Sequence, residues 1–107
     1  MSKQTIIVKL DAQKMENPDL DIRYKLPDRI EEVTKERISD NGYDYLSDTV
    51  LGIWLEADNA EEGAKEVIEL IKKEKFLKND LSQTAEILIS EKETAEAEEC
   101  RRVYPKA

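Results

Sequence analysis

The most apolar run of the chain is VLGIWL at residues 50–55. It is short and rich in β-formers, which predicts a central β-strand rather than a helix. Gly52 within the run indicates a bulge or a close backbone approach. Asp58 and Asn59 follow as candidate N-caps of an amphipathic helix over residues 60–76. This strand and helix are the clearest pair of elements in the sequence.

Further strands are predicted on both sides of this pair. The segments TIIVKL at residues 5–10 and TAEILIS at residues 84–90 are short, apolar and β-branched. A short strand is predicted at residues 43–46, after the turn signal DNG at residues 40–42. Residues 100–104 could return as a last strand before a proline.

The first helical region is expected to be interrupted. Asn17 and Pro18 form a start signal for a helical segment over residues 18–25, with Leu20 and Tyr24 on its inner face. Pro27 has no N–H group and disfavours helix at the residue before it. A break is therefore predicted there, followed by an amphipathic helix over residues 27–37.

The order of these elements is strand, helix, strand, strand, helix, strand. This order is typical of a ferredoxin-like α+β sandwich built from split β-α-β units. In that fold two helices cover one face of an antiparallel sheet, and the C-terminal residues would add an edge strand. The alternative is a looser α+β arrangement in which residues 40–48 form no strand.

The length and composition bound the organisation of the chain. Its 107 residues fit one domain over residues 1–107. Residues 92–99 are rich in glutamate and contain no large apolar side chain. This segment is predicted to be a mobile loop.

The charge and the cysteine content exclude several classes of protein. The 17 basic and 25 acidic residues give a net charge of −8, which argues against binding to nucleic acid or to an anionic membrane. No apolar run approaches the roughly 18 residues of a membrane span, and the first residues lack the pattern of a signal peptide. A single cysteine, Cys100, cannot form an internal disulfide, so a cytoplasmic location is expected.

Motifs for catalysis and for cofactor binding are missing. The chain contains no histidine and one cysteine, which excludes Ser-His and Cys-His nucleophile systems and a structural zinc site. The glycine-rich signatures of dinucleotide and P-loop sites are absent. The acidic spacings admit a Mg²⁺ or Ca²⁺ site, but turn and surface roles for these carboxylates are favoured. The sequence therefore predicts a non-enzymatic protein without a cofactor or a metal.

The acidic excess and the aromatic residues meet in one part of the sequence. Residues 16–48 contain ten acidic and five basic residues, and the tyrosines at positions 43 and 45 would share one face of their strand. Core packing is the plain interpretation of these rings, and an aromatic hot spot in an interface is the functional one. Carboxylates around the rings would attract a basic partner. The predicted partner-binding residues are Asp40, Tyr43, Asp44, Tyr45 and Asp48.

Two resemblances extend this interpretation. The segments NPDLDIRYKLP at residues 17–27, DNGYDY at residues 40–45 and VYP at residues 103–105 resemble those of a group of short uncharacterised bacterial proteins. In size and charge the chain is also similar to the immunity proteins of bacterial toxin systems, which bind a cognate toxin and block an essential surface. This similarity implies a protein whose acidic, aromatic surface covers the basic, nucleic-acid-handling site of a toxin domain.

Two other functions stay open at this point. One is a small-molecule-binding or regulatory ferredoxin-like domain that acts as a homodimer. It would gain thermal stability from its ligand, because the ligand binds the native state. The other, weaker alternative is a Mg²⁺-dependent enzyme that uses Asp19 or Asp21.

Overall fold

The computed structural model describes residues 3–17 and 21–105. Its strands are β1 (Gln4–Asp11), β2 (Ile38–Tyr45), β3 (Val50–Ala57), β4 (Glu86–Ser90) and β5 (Arg101–Tyr104). Its two α-helices are α1 (Ile22–Thr34), between β1 and β2, and α2 (Ala60–Lys73), between β3 and β4. The strands form one antiparallel sheet in the order β2-β3-β1-β4-β5. The predicted α+β class is confirmed, and β2 and β5 are the two edges of the sheet.

One apolar core joins the sheet to both helices. Alternate residues of β1 pair with alternate residues of β3, for example Ile6 with Leu55 and Val8 with Ile53, so their side chains lie on one face of the sheet. Full burial of such a side chain contributes about 1.5–3 kcal/mol. The helical members of this core include Ile22, Leu26 and Ile30 of α1 and Ala64, Val67 and Ile71 of α2.

Helix α2 has the ends that its sequence predicts. Asn59 is its N-cap, and the Asn59 side chain accepts a hydrogen bond from the Glu62 N–H at 3.0 Å. Acidic residues occupy the first turn and lysines the last turn, which suits the helix dipole. The helix ends at Lys73 instead of continuing to Phe76, because Phe76 pairs its backbone with Asn79 in a tight turn and is buried in the core.

Helix α1 is continuous where the sequence predicted a break. Pro27 lies inside it, and the side chains of Leu26, Pro27 and Ile30 are all buried. Pro27 removes one hydrogen bond from the helix, at a cost of about 3 kcal/mol, and the burial of this face offsets that cost. The predicted start at residues 18–20 lies outside the described residues.

Strand β2 is longer than predicted, and it contains the predicted turn. Asp40 is paired with Leu55 and Tyr43 with Ile53, so the two residues between them in β2 lie opposite one residue of β3 and form a bulge with one extra residue. Gly42 in this bulge has a φ of 94°, the positive value that its asparagine-glycine context indicated. Contrary to the turn prediction, the chain therefore does not reverse at residues 40–42. Gly42 nevertheless has the positive φ that the predicted turn required.

The second face of the sheet is covered by the connection between β4 and β5. The buried Thr5 hydroxyl donates to the Lys92 carbonyl at 2.8 Å and accepts from the Ala95 N–H at 3.0 Å. The Trp54 indole N–H donates to the Ala95 carbonyl at 2.8 Å. A 3₁₀ turn follows at Ala97–Glu99. These contacts tie residues 92–99 to the sheet, and the mobility of this segment stays a prediction.

Within residues 3–17 and 21–105, no helix has both the length and the apolar character that a membrane crossing needs.

Candidate functional site

Three tyrosines and one arginine meet where α1 lies beside the edge strand β2. We call Arg23, Tyr24, Tyr43 and Tyr45 the tyrosine cluster. The rings of Tyr24 and Tyr43 meet edge to face, with their centroids 6.0 Å apart and an interplanar angle of 89°. The guanidinium carbon of Arg23 lies 4.7 Å from the Tyr24 ring centroid and 5.2 Å from that of Tyr43. Both distances are within the range of cation–π contacts.

The register of β2 explains why its two tyrosines point toward α1. Tyr43 is paired with Ile53 and Tyr45 with Leu51, and both of these partners belong to the core that contains Ile22, Leu26 and Ile30 of α1. Directly paired residues place their side chains on the same face of a sheet. The prediction that Tyr43 and Tyr45 share a face is confirmed.

The rings of the tyrosine cluster are only half covered. Tyr24, Tyr43 and Tyr45 are 48%, 42% and 45% exposed. The chain has four tyrosines, so three of them lie in this one surface cluster. The interpretation of Tyr43 and Tyr45 as core residues is therefore wrong, and so is the expected inner-face position of Tyr24.

The hydrogen bond between Tyr24 and Tyr43 shifts the pKa values of these two tyrosines in opposite directions. A hydrogen bond with Tyr43 and then one with Arg23 hold the pKa of Tyr24 below its ordinary value. The hydrogen bond with Tyr24 raises the pKa of Tyr43, although the charge of Arg23 opposes this shift. The hydrogen bond with Tyr24 contributes most to the raised pKa of Arg23, and Tyr45 adds a smaller hydrogen bond. The four side chains therefore form one coupled polar and aromatic unit.

The structure separates the three predicted carboxylates. Asp40 is paired with Leu55 and therefore lies on the same face of the sheet as the tyrosines, whereas Asp44 is paired with Gly52 and lies on the opposite face. Asp48 is exposed in the loop between β2 and β3. The predicted acidic ring around the aromatic side chains is therefore replaced by carboxylates on two faces and in a loop.

Carboxylates also accept hydrogen bonds from backbone N–H groups of the edge strand. The Asp40 N–H donates to the Glu31 side chain at 3.0 Å, and the Gly42 N–H donates to the Asp40 side chain at 2.9 Å. The Tyr45 N–H donates to the Asp44 side chain at 2.8 Å. An edge strand whose donors are already occupied is a poor template for another strand. This arrangement disfavours a dimer formed by sheet extension through β2.

On the opposite face of β2, the ring of Trp54 lies over Gly52. A Cβ atom at position 52 would come within 2.7 Å of the Trp54 ring, so this glycine makes room for a side chain and not for a second backbone. Beside the indole is a groove of about 420 Å³, between β2 and residues 94–98. We call it the Trp54 groove. Its lining includes Asp44, Glu96 and Glu98.

Cys100 and the carboxylates considered as metal ligands show no arrangement that favours catalysis or metal binding in the described part of the chain. Burial raises the pKa of the Cys100 thiol, and the nearby Glu99 raises it further, which disfavours the reactive thiolate. In the described part of the chain, no group of three or more His, Cys, Asp or Glu side chains is arranged to hold a metal ion. Asp19 lies outside the described residues, and Asp21 is the N-cap residue of α1.

Sequence reasoning missed Arg23 and Tyr24 as members of the site. The sequence placed Tyr24 on the buried face of the first helix. In the structure that face is formed by Ile22 and Leu26 instead. A helix that starts at residue 22 places Tyr24 about 200° around the axis from Ile22, since each residue advances by about 100°. The spacing of four residues from Ile22 to Leu26 and from Leu26 to Ile30 could have identified the buried face of α1 from the sequence.

The chain was compared with protein-family models, with curated proteins and with solved structures, and none of the three comparisons gave a match.

Proposed function

We propose that this chain is a non-enzymatic protein-binding module, and that it neutralises a basic partner by covering an essential surface of that partner. The role we assign to it is that of an immunity protein against a bacterial toxin, acting in the cytoplasm. The observation that carries the proposal is the tyrosine cluster, with its three half-exposed rings around Arg23.

The composition of this cluster supports binding to a protein. Tyrosine and arginine are enriched among the residues that dominate binding energies at interfaces. The contacts between Arg23 and the rings of Tyr24 and Tyr43 hold these side chains in place before binding. A pre-arranged cluster loses less conformational entropy when a partner docks.

The charge around the cluster supports a basic partner. Residues 16–48 carry twice as many acidic as basic residues. Of the bases, Arg37 directs its side chain to Glu66 outside this region, and Arg29 pairs with Glu32 inside it and with Glu74 outside it. Carboxylates at the rim of an interface accelerate association with a basic partner, and salt screens this effect.

The architecture supports a finer assignment of the fold. We propose that the four strands in the order β2-β3-β1-β4, with α1 and α2 as the two connections, are a ferredoxin-like sandwich with both helices on one face. The shared core of α1, α2 and alternate residues of β1 and β3 favours this arrangement. The strand β5 extends it at one edge. A fold of this kind supports many functions, so the binding role depends on the surface.

Co-purification with the product of the adjacent gene in its own genome tests the proposal. A one-to-one complex is expected, with a dissociation constant that rises with salt concentration when measured by calorimetry. The variant Asp48→Lys should weaken this complex and keep the thermal unfolding midpoint, because Asp48 is exposed in the loop that follows Tyr45. If no complex forms, or if its affinity does not respond to salt, the proposal is wrong, and a metabolite screen by thermal shift would then test the small-molecule alternative.

A further inference from the structure

The Trp54 groove offers a different chemistry from the tyrosine cluster. It lies on the other face of β2, between that strand and the connection that covers the second face of the sheet. Its volume of about 420 Å³ falls within the range of about 300–1,000 Å³ typical of ligand sites. The two surfaces share the edge strand, so one partner could contact both.

The walls of the groove are held by specific contacts. The indole of Trp54 is fixed on one side by Gly52, which leaves room for the ring, and at its N–H by the Ala95 carbonyl. The opposite wall begins where the Asn41 side chain donates to the Thr94 hydroxyl at 3.3 Å. The Glu96 N–H donates to the Glu99 side chain at 3.1 Å, which orders the turn that follows. The groove is therefore built by the fold and does not depend on a ligand to form.

The charge of the lining is one-sided. Asp44, Glu96 and Glu98 are acidic, and among residues 3–17 and 21–105 those that line the groove include no lysine or arginine. The remaining lining is in part apolar, with Leu46 and the half-buried Trp54. A tryptophan ring next to carboxylates suits a cation with a flat or apolar body, because the ring attracts the cation and the carboxylates pair with it.

We propose that the Trp54 groove receives an arginine side chain from an extended basic segment of the protein partner. This inference rests on the proposed function, in which the partner is basic. The guanidinium would stack on Trp54 and pair with Glu96 or Glu98, and its apolar stem would contact Leu46. Arginine fits better than lysine, because its planar group both stacks and binds carboxylates through two N–H groups.

A peptide titration tests the groove without the partner. Acetylated and amidated tetra-arginine is added to the full chain, and its dissociation constant is measured by calorimetry at low salt. Trp54 is the only tryptophan of the chain, so its fluorescence and its indole N–H signal in NMR report directly on the groove. We expect both signals to change with the peptide, and tetra-glutamate to leave them unchanged.

Two matched double variants separate the groove from the general charge. Glu96→Gln with Glu98→Gln removes two charges from the groove, and Asp28→Asn with Glu36→Gln removes two from the exposed surface around α1. We expect the first variant to weaken peptide binding about tenfold and the second less than about threefold. Equal losses in the two variants, an unchanged Trp54 signal, or no binding of the peptide would overturn the inference.

The outcome for the groove is distinct from the outcome for the proposed function. If the partner complex forms and is salt-sensitive, but tetra-arginine leaves the Trp54 signals unchanged, the groove assignment fails and the binding function stands. If tetra-arginine enters the groove but no partner complex forms, the proposed function fails and the groove remains a site for arginine.

Discussion

The two edges of the sheet use tyrosine in opposite ways. At the β5 edge, the Tyr104 hydroxyl donates to the Ser82 carbonyl at 2.6 Å, and its partly buried ring packs against the core. At the β2 edge, the rings of Tyr43 and Tyr45 are almost half exposed and surround an arginine. A ring that packs on the core and has a partly buried hydrogen-bond partner stabilises the fold, whereas a ring held by its surface neighbours stays available for binding.

The largest expected effect is a difference in stability between the two edges. Tyr104→Ala removes packing against the core and the hydrogen bond to Ser82, so we expect it to lower the free energy of unfolding by about 2 kcal/mol. Tyr43→Ala removes exposed contacts only and should cost less than about 1 kcal/mol. Urea unfolding of the two variants measures this difference, and equal losses would show that the edges do not differ in this way.

A smaller effect is expected where the β4–β5 connection crosses the sheet between the two edges. Thr5→Val removes the hydroxyl that bridges Lys92 and Ala95, and leaves a buried N–H without its acceptor. We expect a loss of about 1–2 kcal/mol and faster amide hydrogen exchange at Ala95.

Thr84→Val is the matched control for Thr5→Val. The hydroxyl of Thr84 is buried and has no hydrogen-bond partner in the described part of the chain. Its removal should therefore leave the stability unchanged or slightly higher. A Thr5→Val variant as stable as the control would mean that the connection is not held on the sheet by this hydroxyl.

The smallest effect is the order in which the tyrosines at the β2 edge ionise. The pKa of Tyr24 is lowered and that of Tyr43 is raised, so Tyr24 should lose its proton at a lower pH than Tyr43. Arg23→Gln should raise the pKa of both groups, because the positive charge favours both phenolates. An NMR titration of the tyrosine ring carbons at alkaline pH checks the order, and the reverse order would contradict the described cluster.

Much of the fold could be predicted from local patterns. The apolar run that became β3 and the capped helix α2 were found at nearly their observed bounds, since alternation and capping are local properties. Tertiary burial decided the rest. It keeps α1 continuous through Pro27. The hydrogen bond lost at this proline is offset by contacts with the core, which the local sequence does not reveal.

The candidate site was only partly predictable. The pairing of Tyr43 and Tyr45 on one face follows from alternation in a strand, but their partners come from α1, whose rotation depends on where the helix begins. The position of Asp44 on the opposite face follows from the same alternation. The Trp54 groove depends on the β4–β5 connection, which contacts the sheet through a threonine hydroxyl, a small alanine and backbone groups that carry no apolar signal in the sequence.

The central claim is that the tyrosine cluster serves binding and not folding. Its most direct test is calorimetry of the complex with the adjacent gene's product, using Tyr43→Ala with Tyr45→Ala and, as a control, Val33→Ala at another exposed apolar position. We predict that the double tyrosine variant weakens the complex by about 100-fold and keeps a native unfolding transition, while the Val33 variant binds like the unmodified protein. An unchanged affinity in the double variant would contradict the account.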